Sequence, residues 1–197
     1  MFDYHGVVFT RVNVSFRERA AKKYGISEKL YNETFYSKSS LGRKFRNGKL
    51  TKKQFIIVLG KKLGFTKKLT KKLAEDMKKQ PVPNKKVFSL VKKLNKKYPV
   101  YMFSGNMRDR AIYTNKKYHF RKLFKKCFFS FDMGCNKDSL EFYRKAFNKL
   151  PYKPNETVLV DDLTRFTKVA KKFGMKTILF KDARQTERAL QKLDVQI

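Results

Sequence analysis

The chain is short of acid. Among its 197 residues, 16 Asp and Glu stand against 49 Lys and Arg, a formal net charge of +33. Self-repulsion on this scale lowers stability, and it favours polyanionic partners through counterion release. The cations do not collect in one tail, because lysine pairs recur from Lys22-Lys23 to Lys171-Lys172. A simple bias toward Lys, Phe, Tyr and Asn would raise Glu as well, so the scarcity of acid favours contact with nucleic acid or another polyanion. Cysteine is nearly missing too. Cys127 and Cys135 form no Cys-x-x-Cys pair and have no His neighbourhood. That argues against a zinc site and excludes a disulfide framework, leaving reduced, half-buried thiols. No apolar run reaches the ~20 residues that a membrane-crossing helix needs. The N-terminus shows no signal-peptide pattern, so a soluble, cytoplasmic protein without membrane contact is expected. Internal repeats and low-complexity linkers are also lacking. At this length the chain can bury one sizeable core with a smaller appendage.

What is present begins with Met-Phe-Asp-Tyr-His-Gly-Val-Val. Asp3 sits between apolar residues, and Gly6 gives a tight turn before Val7 and Val8. An Asp at the carboxyl end of a short apolar strand lies where open α/β sheets carry their chemistry. It can hold a metal, attack an electrophile, or do both. Taken alone it reads rather as an ordinary strand end, and the support comes from further along the chain. Residues 11–79 then read as helical with short breaks. Phe16, Ala20, Ala21 and Tyr24 recur at helical spacing up to Gly25, and a short helix is expected over 28–36. Asn47-Gly48 is a turn signal, and Thr51 is a good N-cap for a helix through Phe55, Val58 and Leu59. An amphipathic stretch follows over 63–77. Pro81-Val82-Pro83 stops the helical pattern and marks a junction.

From Lys85 helix and strand alternate. Val87, Leu90, Val91 and Leu94 form one helix face. A strand over 99–103 ends at Ser104-Gly105-Asn106. A helical region over 108–124 leads to a strand over 127–131. A helix over 140–150 turns Phe142, Tyr143, Ala146 and Phe147 inward. A strand over 157–160 ends at Asp161-Asp162, and Phe166, Val169, Ala170 and Phe173 continue as a helix up to Gly174. A strand over 176–180 and a terminal helix to about Leu193 close the chain. Strands separated by helices of this length read as a parallel sheet with right-handed crossovers. Parallel strands place Asp3, Ser104-Gly105-Asn106 and Asp161-Asp162 on one edge, with Lys137 just ahead of a helix. Carboxylates, a hydroxyl and an ammonium on one rim describe a magnesium site for a phosphoryl group. The carboxylates hold a hard cation, while Ser and Lys neutralise phosphoryl oxygens.

These four clusters, in this order and spacing, resemble the four motifs of the haloacid dehalogenase-like hydrolases. The most specific part is the end, Val-Leu-Val-Asp-Asp-Leu followed by Val-Ala-Lys-Lys-Phe-Gly-Met-Lys-Thr-Ile-Leu-Phe. The middle, with Phe-Arg-Asn-Gly-Lys-Leu-Thr-Lys-Lys-Gln-Phe, is similar to the small helical cap that many members insert after the first strand. The resemblance implies a three-layer Rossmann-like α/β core from residues 1–10 and 84–197, with an α-helical cap from 11–83. It implies that Asp3 is a nucleophile forming an aspartyl-phosphate. Magnesium would be bound by Asp3, the backbone carbonyl of His5 and Asp162, with Asp161 in the outer shell. Ser104, the Gly105 amide and Asn106 would hold the phosphoryl oxygens, and Lys137 would pair with the nucleophile and the transferring group.

Two departures from the family stand out. His5 occupies the place of the second Asp that serves its phosphatases as acid and base. Histidine can make both proton transfers, its unperturbed pKa being about 6.5, and a plain turn role is the alternative. Only Met1 and Phe2 precede Asp3, so either the first strand is unusually short or the protein begins upstream. Asp138, after Lys137, stands where the family often has Pro. The expected function is a phosphomonoesterase acting on a phosphorylated small molecule or nucleotide. The alternative is a catalytically weak relative that binds RNA, DNA or another polyanion. Dehalogenation of 2-halo acids ranks below both, for want of a recognisable halide-binding arginine arrangement.

Overall fold

The computed structural model describes residues 1–10, 12–37, 40–79 and 81–197, with only the backbone of 12–15. Arg11, where the first helix is expected to open, lies outside the described residues. The chain starts with β1 (Phe2–Asp3), only two residues long, and then turns sharply. Gly6 takes φ +84° and donates its N–H to the Phe9 carbonyl at 2.7 Å. Tyr4, Val7, Val8 and Phe9 are all buried beneath this turn, and the Tyr4 and Phe9 rings stack at 4.4 Å.

Five helices follow. They are α1 (Val12–Tyr24), α2 (Glu28–Phe35), α3 (Leu41–Arg46), α4 (Lys52–Leu63) and α5 (Lys67–Lys78). Thr51 caps α4 as expected, in a reciprocal capping box with Gln54, and Gly64 ends that helix in the left-handed conformation. The stretch expected over 63–77 is therefore two pieces, because Leu63 belongs to α4 and Thr66 caps α5. Val58 does not share the inward face. With Phe55, Ile56, Leu59 and Gly60 buried, position 58 falls on the opposite side of the helix and stays exposed. Helix α3 has no counterpart in the sequence reading. Phe16, Tyr31, Phe35, Phe45, Phe55, Leu59, Leu73 and Met77 form an apolar cluster of their own, joined by Met107.

The chain returns beside the point where it left. Thr10 donates to the Val82 carbonyl at 2.8 Å and Asn84 to the Val8 carbonyl at 2.9 Å, with Phe9 and Pro83 paired antiparallel. Beyond this neck come α6 (Lys85–Leu94), β2 (Tyr101–Ser104), α7 (Arg108–Tyr118), β3 (Lys126–Phe129) and α8 (Ser130–Met133). Then come α9 (Leu140–Phe147), β4 (Val158–Asp161), α10 (Thr164–Lys172), β5 (Lys176–Leu179) and α11 (Ala183–Gln191). The five strands run parallel in the order β3-β2-β1-β4-β5, so the shortest strand lies at the centre. Phe2 pairs with Met102 on one side and Val160 on the other.

One face of the sheet packs on α6 through Val87, Leu90, Val91 and Leu94, with Leu190 of α11. The other packs on α9 and α10 through Phe142, Tyr143, Ala146 and Ala170. This is the expected three-layer α/β arrangement, and both faces of the central strands are covered. Three boundaries differ from expectation. Pro99, which cannot donate to a ladder, stays outside β2. The segment 130–133 turns helical at the end of β3. The helical region after 108 breaks at His119, which takes a left-handed φ of 49° before a short 3₁₀ turn.

Candidate active site

Strands β1, β2 and β4 end side by side, and their last residues meet at the carboxyl edge of the sheet. Asp3, Asp161 and Asp162 each offer an oxygen within 4.8 Å of the others. Lys137, wholly buried ahead of α9, bridges two of them, donating to Asp3 Oδ1 and Asp161 Oδ2. Its third contact is the Phe103 carbonyl at 3.3 Å. Its backbone N–H donates to Asn136 Oδ1 at 2.9 Å, which fixes the approach of the loop. Asp161 also accepts from the Leu163 N–H at 2.9 Å, so its two oxygens are committed to different elements. Asp162 packs against Gly6. A methyl group at Gly6 would overlap its carboxylate, and the positive φ there also favours glycine.

Charge balance decides the protonation. Burial raises the Asp3 carboxyl, Lys137 pulls it back, and Asp161 and Asp162 push it up further. Burial pulls the Lys137 ammonium down, but Asp161 and Asp3 outweigh that and hold it above its usual value. The lysine is therefore a fixed cation between carboxylates. Hard oxygen donors gathered this closely suit a magnesium ion, so the residues present fit the expected metal.

His5 faces a different neighbour. Arg110 of α7 comes within 3.1 Å of His5 Nε2, while its Nε and Nη2 donate to the Met77 carbonyl at 3.1 and 2.8 Å. Arginine can only donate, so Nε2 is the unprotonated nitrogen. Burial, then Arg110, Lys137 and Arg46, lower the pKa of this ring well below its usual value. Ser104 and Asn106 are fully buried under the edge. The Ser104 hydroxyl has no hydrogen-bond partner among the described residues, and Asn106 Oδ1 accepts from the Met107 N–H at 2.8 Å.

Above the edge lies a cleft of about 90 Å³. Its floor carries Asp3, His5, Gly105, Asn136 and Asp162, and its far wall comes from the helical segment through Tyr31, Phe35, Tyr36, Arg46 and Met77. Ser104, Asn106, Lys137 and Asp161 lie beneath this surface rather than on it. The sequence reading missed Asn136, Arg110, Arg46 and Arg165. For the arginines no signal existed, since each is one cation among 49. Asp138, in place of the family's proline, pairs with Arg43 of α3 through two bonds of 2.7 and 2.6 Å and so ties the helical segment to the core.

The sequence profile of the haloacid dehalogenase-like hydrolases matches residues 11–180. The chain belongs to this family. The matched span includes Ser104, Lys137, Asp161 and Asp162, and Asp3 lies just ahead of it. No curated protein sequence matches significantly. Solved structures share the fold. A predicted member from Porphyromonas gingivalis superposes with a TM-score of 0.81 at 17% identity, covering 100% of this chain and 97% of the other. A family enzyme from Bacteroides thetaiotaomicron, crystallised with magnesium and inorganic phosphate, gives 0.77 at 21% identity, covering 91% and 92%. The L-2-haloacid dehalogenase from Xanthobacter autotrophicus, with chloropropionic acid covalently bound, gives 0.65 at 14% identity, covering 100% and 83%. The chain is thus a haloacid dehalogenase-like hydrolase, and among the described residues no helix is long and apolar enough to cross a membrane.

Proposed function

We propose that this hydrolase is a magnesium-dependent phosphomonoesterase that works through an aspartyl-phosphate on Asp3. The observation that carries the reading is the trio Asp3, Asp161 and Asp162 with Lys137 between them. Magnesium would be held by Asp3, the His5 carbonyl and Asp162, and it would supply charge neutralisation for phosphoryl oxygens. Asp161 fits the outer-shell place, since it orients Lys137 and the Leu163 amide. The Ser104 hydroxyl, without a hydrogen-bond partner among the described residues, and the Gly105 amide would be the donors for the phosphoryl group. An Asp3 oxygen forms a bond to phosphorus as the ester oxygen–phosphorus bond breaks. Water then cleaves the acyl phosphate, returning Asp3 and releasing phosphate.

His5 enters this reading as a turn residue. Its Nε2 is turned to an arginine, so the leaving alcohol receives no proton from that atom. Substrates with good leaving groups are favoured accordingly. The test is magnesium-dependent hydrolysis of an aryl phosphate, with Asp3→Asn as control. Hydrolysis that needs both supports the reading. Chloride release from 2-chloropropionate without phosphate release would replace it.

A second reading rests on α4 and α5, which turn Lys53, Lys61, Lys62, Lys67, Lys68, Lys71 and Lys72 to solvent. Such a surface attracts nucleic acid or another polyanion with an affinity that falls steeply with salt. Absent or salt-independent RNA and DNA binding would sink it. The two readings are compatible in one molecule.

A further inference from the structure

The wall of the cleft opposite the carboxylates contains a cation that meets no acid among the described residues. Arg46, at the end of α3, lines the cleft and is partly buried. Its Nη2 donates to the Phe35 carbonyl at 2.8 Å, and its guanidinium lies 5.4 Å from the centre of the Tyr36 ring. No carboxylate reaches it within ion-pair distance among the described residues. Other arginines are treated differently. Arg43 holds Asp138, Arg108 holds Asp132 and Arg17 holds Glu28. Arg110 spends its guanidinium nitrogens on Met77 and His5. Among the described residues only Nη2 of Arg46 is engaged in a hydrogen bond, and Arg165 stands exposed at the same cleft. Burial lowers the Arg46 pKa to about 10, and Arg110, Arg43 and Arg165 add to that against Tyr36. The group is still charged at neutral pH, yet held in surroundings that penalise its charge.

A guanidinium fixed by one carbonyl and one ring, with no counter-ion, is a pre-formed receptor for an anion. The anion arrives with the ligand. The cleft holds about 90 Å³, well below the ~300–1,000 Å³ of common ligand pockets. The ligand is consequently short, and its second charge lies only a few bonds from the group bound over Asp3. A planar carboxylate matches the fork of the guanidinium.

We propose that Arg46, assisted by Arg165, forms a second anion subsite, and that the substrates are small phosphomonoesters bearing a carboxylate. This rests on the phosphatase reading for the reaction but not for the binding. The first experiment therefore uses ligands that cannot be hydrolysed. Binding of phosphonoacetate and of ethylphosphonate, with magnesium, is measured by calorimetry on the wild-type protein, Arg46→Gln, Arg46→Lys and the surface control Lys171→Gln. The wild type is expected to favour phosphonoacetate about tenfold or more, as one charge-assisted contact would give. The preference should vanish in Arg46→Gln, return in part in Arg46→Lys and persist in Lys171→Gln.

Equal binding of the two phosphonates by the wild type overturns the proposal without recourse to any variant. So does a preference that survives Arg46→Gln or is lost equally in Lys171→Gln, because a diffuse field would then be its source. The second experiment compares kcat/KM for glycolate phosphate and ethyl phosphate. Hydrolysis of both at equal efficiency removes the subsite and leaves the phosphatase. A binding preference with no turnover of any phosphoester removes the phosphatase and leaves the subsite.

Discussion

The sheet edge and the helical wall facing it handle charge in opposite ways. At the edge, three of the chain's 16 acids are drawn together, and a fully buried lysine ties two of them. On the wall, an arginine stands among aromatic rings with a carbonyl for a partner. The edge, with three carboxylates against one lysine, keeps a negative balance, whereas the wall carries positive charge. In a chain of net charge +33 the scarce carboxylates gather at the sheet edge, and positive charge faces them across the cleft.

That contrast can be broken from either side, and the edge gives the largest effects. Asp3→Asn keeps the shape of the side chain, so the fold should persist by circular dichroism. Magnesium-dependent aryl phosphate hydrolysis should fall on the order of 10³-fold or more, as for loss of a nucleophile. Lys137→Met leaves Asp3 and Asp161 buried and facing each other without compensation. Urea unfolding near neutral pH should show a loss of about 3–5 kcal/mol. A loss below 1 kcal/mol would mean that the carboxylates do not depend on the lysine. Gly6→Ala imposes a side chain on a left-handed residue and presses on Asp162. It should cost about 1–3 kcal/mol in the same assay, and magnesium affinity measured by calorimetry should weaken with it. The smallest effect belongs to the tie between the two regions. A double-mutant cycle on Arg43 and Asp138 should give a coupling of about 1 kcal/mol, since both side chains are about a quarter exposed.

The core was readable because its elements repeat one physical pattern. Val87, Leu90, Val91 and Leu94 lie at helical spacing and are the buried residues of α6. Val158 to Asp161 runs apolar up to its acid, and so do the residues before Asp3 and Ser104, so the convergence of the strand ends could be inferred. The helical segment yielded less. Six residues are too few for α3 to show a period. Its Gly42, a helix-disfavouring residue, is there because a Cβ would meet Phe35 backbone atoms at 2.8 Å. That constraint is tertiary and leaves no local mark. Val58 was misplaced because an apolar residue beside Leu59 looks inward until the face is fixed by Phe55 and Ile56. The pairing of Asp138 with Arg43 spans 95 positions, and neither residue announces the other. Arg46 and Arg110 are hidden for the opposite reason, since cations are everywhere in this sequence. Acids could be picked out by their rarity, whereas the arginines needed coordinates.

The neck at Phe9 and Pro83 has a consequence for how such a molecule can be altered. The strands that leave and re-enter the core are already hydrogen-bonded to each other, like the two arms of a hairpin whose tip has been replaced by about seventy residues. Closing the intervening loop therefore adds little to the order the core imposes on its own ends. Replacing the five helices by a short turn between the arms should accordingly leave the sheet and its carboxylates in place, at the loss of the Arg43–Asp138 pair and of the contacts that Met107 and Arg110 make with the helices. The helical segment is thus an insertion into a core whose ends are already joined without it.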